Sequence, residues 1–157
     1  MKTSKFFVVV ALWALSISPL LAWSAMASQP TVLASGQGIF FDAFVTLRLF
    51  SFHAQEIDGK VTGNAVLAQP GPGDNLHIDI NCIRVVDSDT LVLGGVLQKA
   101  TEFLPEGHQL IFEVSDGGVG NDQDRLSELR DGTCEDEPPF ILRLIDSGTV
   151  NIQVREE

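Results

Sequence analysis

Apolar and polar side chains alternate along much of this chain, the period of a β-strand with one dry face and one wet one. Leu76-His77-Ile78-Asp79-Ile80-Asn81-Cys82 shows the pattern, and Leu110, Phe112 and Val114 repeat it, as do Val150, Ile152 and Val154. No window carries a convincing helical period. Short runs of Val, Ile, Thr and Phe, separated by Gly- and Asp-rich punctuation, predict strands over 38–54, 60–68, 75–85, 89–99, 108–115, 125–130, 140–146 and 148–154. The first is long enough to be two strands, or one strand bent by a bulge. Asp58-Gly59 is a hairpin signal, and Asp87-Ser88-Asp89 and Asp146-Ser147-Gly148 read as further turns. One-sided burial favours antiparallel pairing, and short connections favour neighbour-to-neighbour order. The expected fold is all-β: a small antiparallel meander closing into a barrel of about eight strands, with a β-sandwich as the alternative.

The first 27 residues do not fit this pattern. Lys2 and Lys5 precede an apolar run from Phe6 to Ala22, and Ala25-Met26-Ala27 supplies the small-x-small pattern of a signal-peptidase site. As a membrane anchor the run is slightly short, contains Pro19, and lacks a following basic stop-transfer cluster. The chain therefore divides into a cleaved signal peptide (1–27), a flexible leader (28–36) and a single β domain (37–157), with Ser28 first after cleavage. The expected location is secreted or periplasmic.

Charge sharpens the class. The chain holds 10 Lys+Arg against 21 Asp+Glu; without residues 1–27 it holds 8 against 21, a net −13. Nucleic acid and anionic membrane surfaces are repelled by such a chain and are excluded as partners. Trp13 and Trp23 leave with the signal peptide and there is no Tyr, so the mature domain is nearly transparent at 280 nm. An outer-membrane barrel would need aromatic girdles, and the charged end Val154-Arg155-Glu156-Glu157 is a poor fit to one, so no membrane insertion is expected after cleavage.

No catalytic constellation emerges. Gly-x-Ser-x-Gly and Gly-x-Gly-x-x-Gly are absent, and no His or Cys pair stands at zinc-ligand spacing. His53, His77 and His108 are the only histidines, and two fall on the polar faces of predicted strands. Two cysteines, Cys82 and Cys134, in an exported chain favour a disulfide; two free thiols or a Cys nucleophile are the other readings. The segment Asp116-Gly117-Gly118-Val119-Gly120-Asn121-Asp122-Gln123-Asp124 gathers oxygen ligands on a pliable backbone. Asp116, Asn121, Asp122 and Asp124 are the candidate calcium ligands; the expectation is no cofactor, with calcium as the one alternative. Residues 117–122 match the front of the β-roll calcium nonapeptide, but in one copy and with Asp124 where an apolar residue belongs. A glycine-rich turn kept soluble by acids is the plainer reading. Paired carboxylates among Glu128, Asp131, Glu135, Asp136 and Glu137 could suit a glycosidase, but no Trp or Tyr platform for sugars accompanies them.

A set of short motifs runs in a recognisable order. It comprises Gly36 and Gly38; Phe50-Ser51-Phe52-His53-Ala54; Gly59 with Gly63-Asn64; Cys82; Gly94-Gly95; Phe112 through Asp116-Gly117; Asp124; Cys134; and Ser147-Gly148-Thr149-Val150-Asn151-Ile152-Gln153-Val154. In this order the chain resembles an uncharacterised family of secreted bacterial β domains similar to post-COAP-1 domains. The resemblance covers about 36–154 and departs from the pattern at Ile39–Leu49 and after Asp124. It implies a secreted β domain with paired cysteines and brings no activity with it.

The expected function is that of a secreted non-catalytic β module, not an enzyme, that binds a surface or extracellular partner. The alternative is a carrier barrel for a small apolar ligand, with Ile39, Phe40, Phe41, Phe44 and Phe50 supplying apolar surface. A calcium-dependent module using the 116–124 loop comes third.

Overall fold

The computed structural model describes residues 31–42, 44, 46–70, 75–118, 123–137 and 140–155, so the signal peptide read over 1–27 lies outside the described residues. The alternating segments form β1 (Val32–Phe41), β2 (Leu47–Ile57), β3 (Lys60–Ala68), β4 (Leu76–Asp87) and β5 (Thr90–Leu97), then β6 (Gln109–Ser115), β7 (Arg125–Ser127), β8 (Arg130–Asp131) and β9 (Leu142–Val154). Eight of them close an antiparallel ring in the order β1-β2-β3-β4-β5-β6-β7-β9 and back to β1; β8 lies beside β6 on the edge that β7 also uses. The chain is an eight-stranded all-β barrel, and the sandwich alternative falls away.

The turns explain the short connections. Asp58 (φ 51°) and Gly59 (φ 73°) both sit in the left-handed region, as a two-residue type I′ hairpin between β2 and β3 requires. Between β4 and β5 the Asp87 carboxylate accepts the Asp89 amide at 2.9 Å and fixes the turn.

Three expectations need correction. Residues 32–36, read as the end of a flexible leader, are the first half of β1 and pair with both β2 and β9. Their inward side chains are small: Val32, Ala34 and Gly36 are buried, and a Cβ on Gly36 would stand 2.4 Å from Cε1 of Phe52. An alternation of small residues carries little apolar signal, which hid the strand. Asp146-Ser147-Gly148 is not a turn but a bulge inside β9: Ile39 pairs with Ser147 while Phe40 pairs with Ile145, leaving Asp146 extra. Finally, the strand expected at 125–130 is broken at Glu128-Leu129 into β7 and β8.

The barrel interior is filled by aromatic and branched side chains. Phe40, Phe50, Phe52 and Phe112 make a chain of ring contacts with centroids 6.1, 6.2 and 5.9 Å apart. Leu91, Leu93, Ile78, Val114 and Leu126 pack around them. The space left among Phe50, Phe52, Phe112 and Leu129 is about 20 Å³, room for about one water. A second, smaller core lies outside the ring, where Val92 and Ile111 are covered by Cys134 and Phe140. β5 is therefore buried on both faces, which is why it reads Leu-Val-Leu-Gly-Gly-Val-Leu rather than alternating.

Candidate functional site

The acidic loop holds the seam of the barrel. β6 and β9 are joined through the three-residue β7, and beyond it side chains take the place of a strand. The Asp124 carboxylate, only 1 % exposed, accepts the amides of Gly117 (2.8 Å) and Val150 (2.7 Å), while its carbonyl accepts the Ile145 amide (2.9 Å). Asp116 accepts the amides of Gly118 (2.8 Å) and Ile152 (3.0 Å). The Ser127 hydroxyl accepts the Glu113 amide on β6 at 2.8 Å. The two carboxylates thus meet alternate amides of β9, as a neighbouring strand's carbonyls would. Of the four calcium candidates the structure brings Asp116 and Asp124 to one loop and gives both of them backbone amides; Asn121 and Asp122 lie outside the described residues. Among the described residues no group of three His, Cys, Asp or Glu side chains stands close enough to hold a metal ion.

Cys82 and Cys134 form a disulfide with Cα atoms 6.1 Å apart, so neither is a free thiol. It pins Cys134, with Phe140 beside it, over the outer face of β5 and β6, and Arg84 reinforces it by donating from Nε to the Cys134 carbonyl at 2.8 Å. Gly94 makes the room: a Cβ there would stand 2.6 Å from the Cys82 sulfur and 2.9 Å from that of Cys134. His53 and His77 are exposed on the outer surface, as their polar-face positions predict, and His108 places Nε2 2.9 Å from Asp131 Oδ1.

At the barrel end that carries the β1–β2 connection, Asp42 is buried, at 7 % exposure. Its carboxylate accepts the amides of Phe44 (2.9 Å) and Thr46 (2.8 Å) and pairs with Arg48 (2.9 Å). Desolvation acts to raise its pKa, but the Thr46 amide, the Arg48 side chain, the Phe44 amide and the Arg48 charge outweigh it and hold Asp42 below the ordinary carboxylate value. This network holds Phe44 out at the loop tip, 87 % exposed. Beside it Phe40, Leu67, Leu76 and Leu129 floor a depression of about 240 Å³ rimmed by Arg48 and Glu128.

The largest concave feature among these is on the outside. Register places the outward side chains of β9, β1, β2 and β3 in rows across the sheet: Gln153-Leu33-Gln55-Thr62, then Asn151-Ser35-His53-Asn64, then Thr149-Gln37-Ser51-Val66. Two apolar rows follow toward the Phe44 end, Ser147-Ile39-Leu49-Ala68 and Phe41-Leu47. Across these 18 outward positions there is no Lys, Arg, Asp or Glu; the exposed charges of these strands lie at the edges, Lys60 opposite Ile57 at the β2–β3 hairpin and Asp146 at the β9 bulge. The middle rows line a trough of about 400 Å³, and across Asn64 it adjoins a second depression of about 320 Å³ bordered by His77, Asp79 and Gln98. Ser35, Gln37, Ser51, His53 and Asn64 make no side-chain hydrogen bond to any described residue, so their donors and acceptors face solvent.

Sequence reasoning missed this face. Its signal is present as an uncharged set of alternate residues from Leu33 to Gln55, but it becomes visible only when β1 is known to start at Val32. Protein-family models, characterised proteins and solved structures yield no match to this chain.

Proposed function

We propose that this protein, a secreted β domain of the kind the post-COAP-1 resemblance suggests, is a non-catalytic binding module, and that it works through the outer face of β9-β1-β2-β3. The observation that carries the reading is the contrast between its two surfaces. The interior is packed to a remnant of about 20 Å³, whereas the outer face offers an uncharged trough of about 400 Å³ with unused hydrogen-bonding groups. The disulfide suits an oxidising compartment, and no helix among the described residues is long and apolar enough to cross a membrane. A second reading, the small apolar-ligand carrier, finds support in the depression floored by Phe40, Leu67 and Leu76 at the barrel end. Native mass spectrometry of protein purified from its own host tests both. The expected species starts at Ser28, carries one disulfide and holds no apolar small molecule; a retained apolar ligand released on denaturation would refute the outer-face reading in favour of the carrier.

A further inference from the structure

We infer that the uncharged outer face of β9-β1-β2-β3 is an interface for a second copy of this chain, packed face to face about a two-fold axis. The inference rests on that face being the working surface and goes further by naming its partner.

Solvated surfaces hold about 25–35 % charged side chains, so 18 outward positions should carry about five; these carry none, and the exposed charged residues of the same strands, Lys60 and Asp146, stand at the rim of the face, on a chain with 10 basic and 21 acidic residues. Depletion of charge is the mark of the centre of a protein interface. A basic partner would gain from acids at the contact, through steering and complementary pairing, so a face without them is not shaped for one. A partner as acidic as this chain is different, because every facing pair of carboxylates would repel. Another copy is such a partner, and a two-fold axis sets each patch against itself. An uncharged patch is the arrangement that two such copies can bring together at the smallest electrostatic penalty.

Size and composition agree. Four strands at about 4.8 Å spacing, with four or five outward positions on each, give a patch about 19 Å by 30 Å in plan, on the order of 600 Å² before side-chain relief is counted. A standard interface takes about 800 Å² from each partner, and the protruding Phe44 beside the apolar rows adds to the patch. Seven of the 18 positions are apolar, and Phe41 and Leu49 stand 43 % and 42 % exposed among the described residues. The remaining uncharged amides and hydroxyls suit a wet interface that still dissociates.

Sedimentation velocity of the mature disulfide-bonded protein, over a range of concentrations and salt, tests this. The expected result is a monomer–dimer equilibrium that tightens as salt rises, because salt screens the repulsion between the acidic remainders. Gln37→Glu and Ser51→Glu, both at the centre of the face, should weaken the dimer on the order of 10- to 100-fold with an unchanged circular dichroism spectrum, while Ser88→Glu in the distant β4–β5 turn should leave it intact. A monomer at about 0.5 mM in all salts, or a dimer indifferent to Gln37→Glu and Ser51→Glu, would overturn the inference. A monomer whose face instead takes a neutral oligosaccharide or a host protein, lost in Gln37→Glu, would overturn self-association yet leave the outer-face function standing.

Discussion

Replacing Asp124 by Asn changes one atom in the carboxylate that holds the barrel's seam. In the native protein its two oxygens accept the Gly117 and Val150 amides at 2.8 and 2.7 Å, with the side chain 1 % exposed. An amide side chain has one acceptor oxygen; its NH₂ must face the second donor, so one charge-assisted bond is lost and one buried N–H is left without a partner. A hydrogen bond to a charged group contributes about 1.5–3 kcal/mol, and a stranded buried donor costs about 1–3 kcal/mol. The expected loss for Asp124→Asn is therefore about 3 kcal/mol, and for Asp124→Ala, which strands both amides, about 5 kcal/mol. Urea unfolding followed by far-UV circular dichroism is the suitable assay, since residues 28–157 include no Trp or Tyr to report by fluorescence. With a slope of about 1.5 kcal/mol per molar, Asp124→Asn should lower the midpoint by about 2 M. A change below about 0.5 kcal/mol would refute the seam role, since that is the range of ordinary surface substitutions. Running both proteins with calcium and with chelator separates the competing idea. Equal native midpoints are expected; a calcium-dependent midpoint abolished by Asp124→Asn would mean that the carboxylate serves a cation instead.

Other perturbations follow from the same geometry. Removing the disulfide by Cys82→Ala with Cys134→Ala frees a loop of 52 residues and should cost about 4 kcal/mol on the chain-entropy estimate, with faster amide exchange confined first to β5, β6 and the residues around Cys134. Gly94→Ala should cost about 2 kcal/mol by forcing a methyl against both sulfurs, and most of that loss should vanish in the cysteine-free background; a loss of equal size there would locate the clash elsewhere. Asp42 titrates below its unfolded value of 3.8, so its pairing contributes stability above that value and loses it as pH falls through the folded pKa. Asp42→Asn should therefore be less stable than wild type at neutral pH and lose less as pH falls below 3.8, measured as urea midpoints against pH.

Alternation made most of the barrel legible, because β2, β4 and β6 put large side chains inward and polar ones outward, and Asp58-Gly59 announced its hairpin. Where inward residues are small, as at Ala34 and Gly36, the period is present but its amplitude is low, and the strand passed for a leader. Asp146-Ser147-Gly148 has the composition of a turn, and only pairing to an intact β1 makes it a bulge, a fact held in residues more than 100 positions away. The acidic loop was singled out for its oxygens. Its described acids, however, face the amides of Val150 and Ile152, partners that chemistry alone does not name. The uncharged outer face is a property of four strands side by side, and no single window of sequence contains it.

The pairing of β1 with β9, from Val32 opposite Val154 to Phe40 opposite Ile145, ties the first described strand to the last. Such a contact has nearly the greatest sequence separation this fold allows, so its loop entropy is met late and folding should be slow for the chain's size. It also means that a nascent chain lacking β9 leaves β1 with one unpaired edge and leaves the amides that Asp116 and Asp124 await unmade. On the proposed export route, which would thread the chain N-terminus first through a narrow pore, this is an advantage. The ring stays open until the last strand has been synthesised, and closure then locks both termini of the domain in one step.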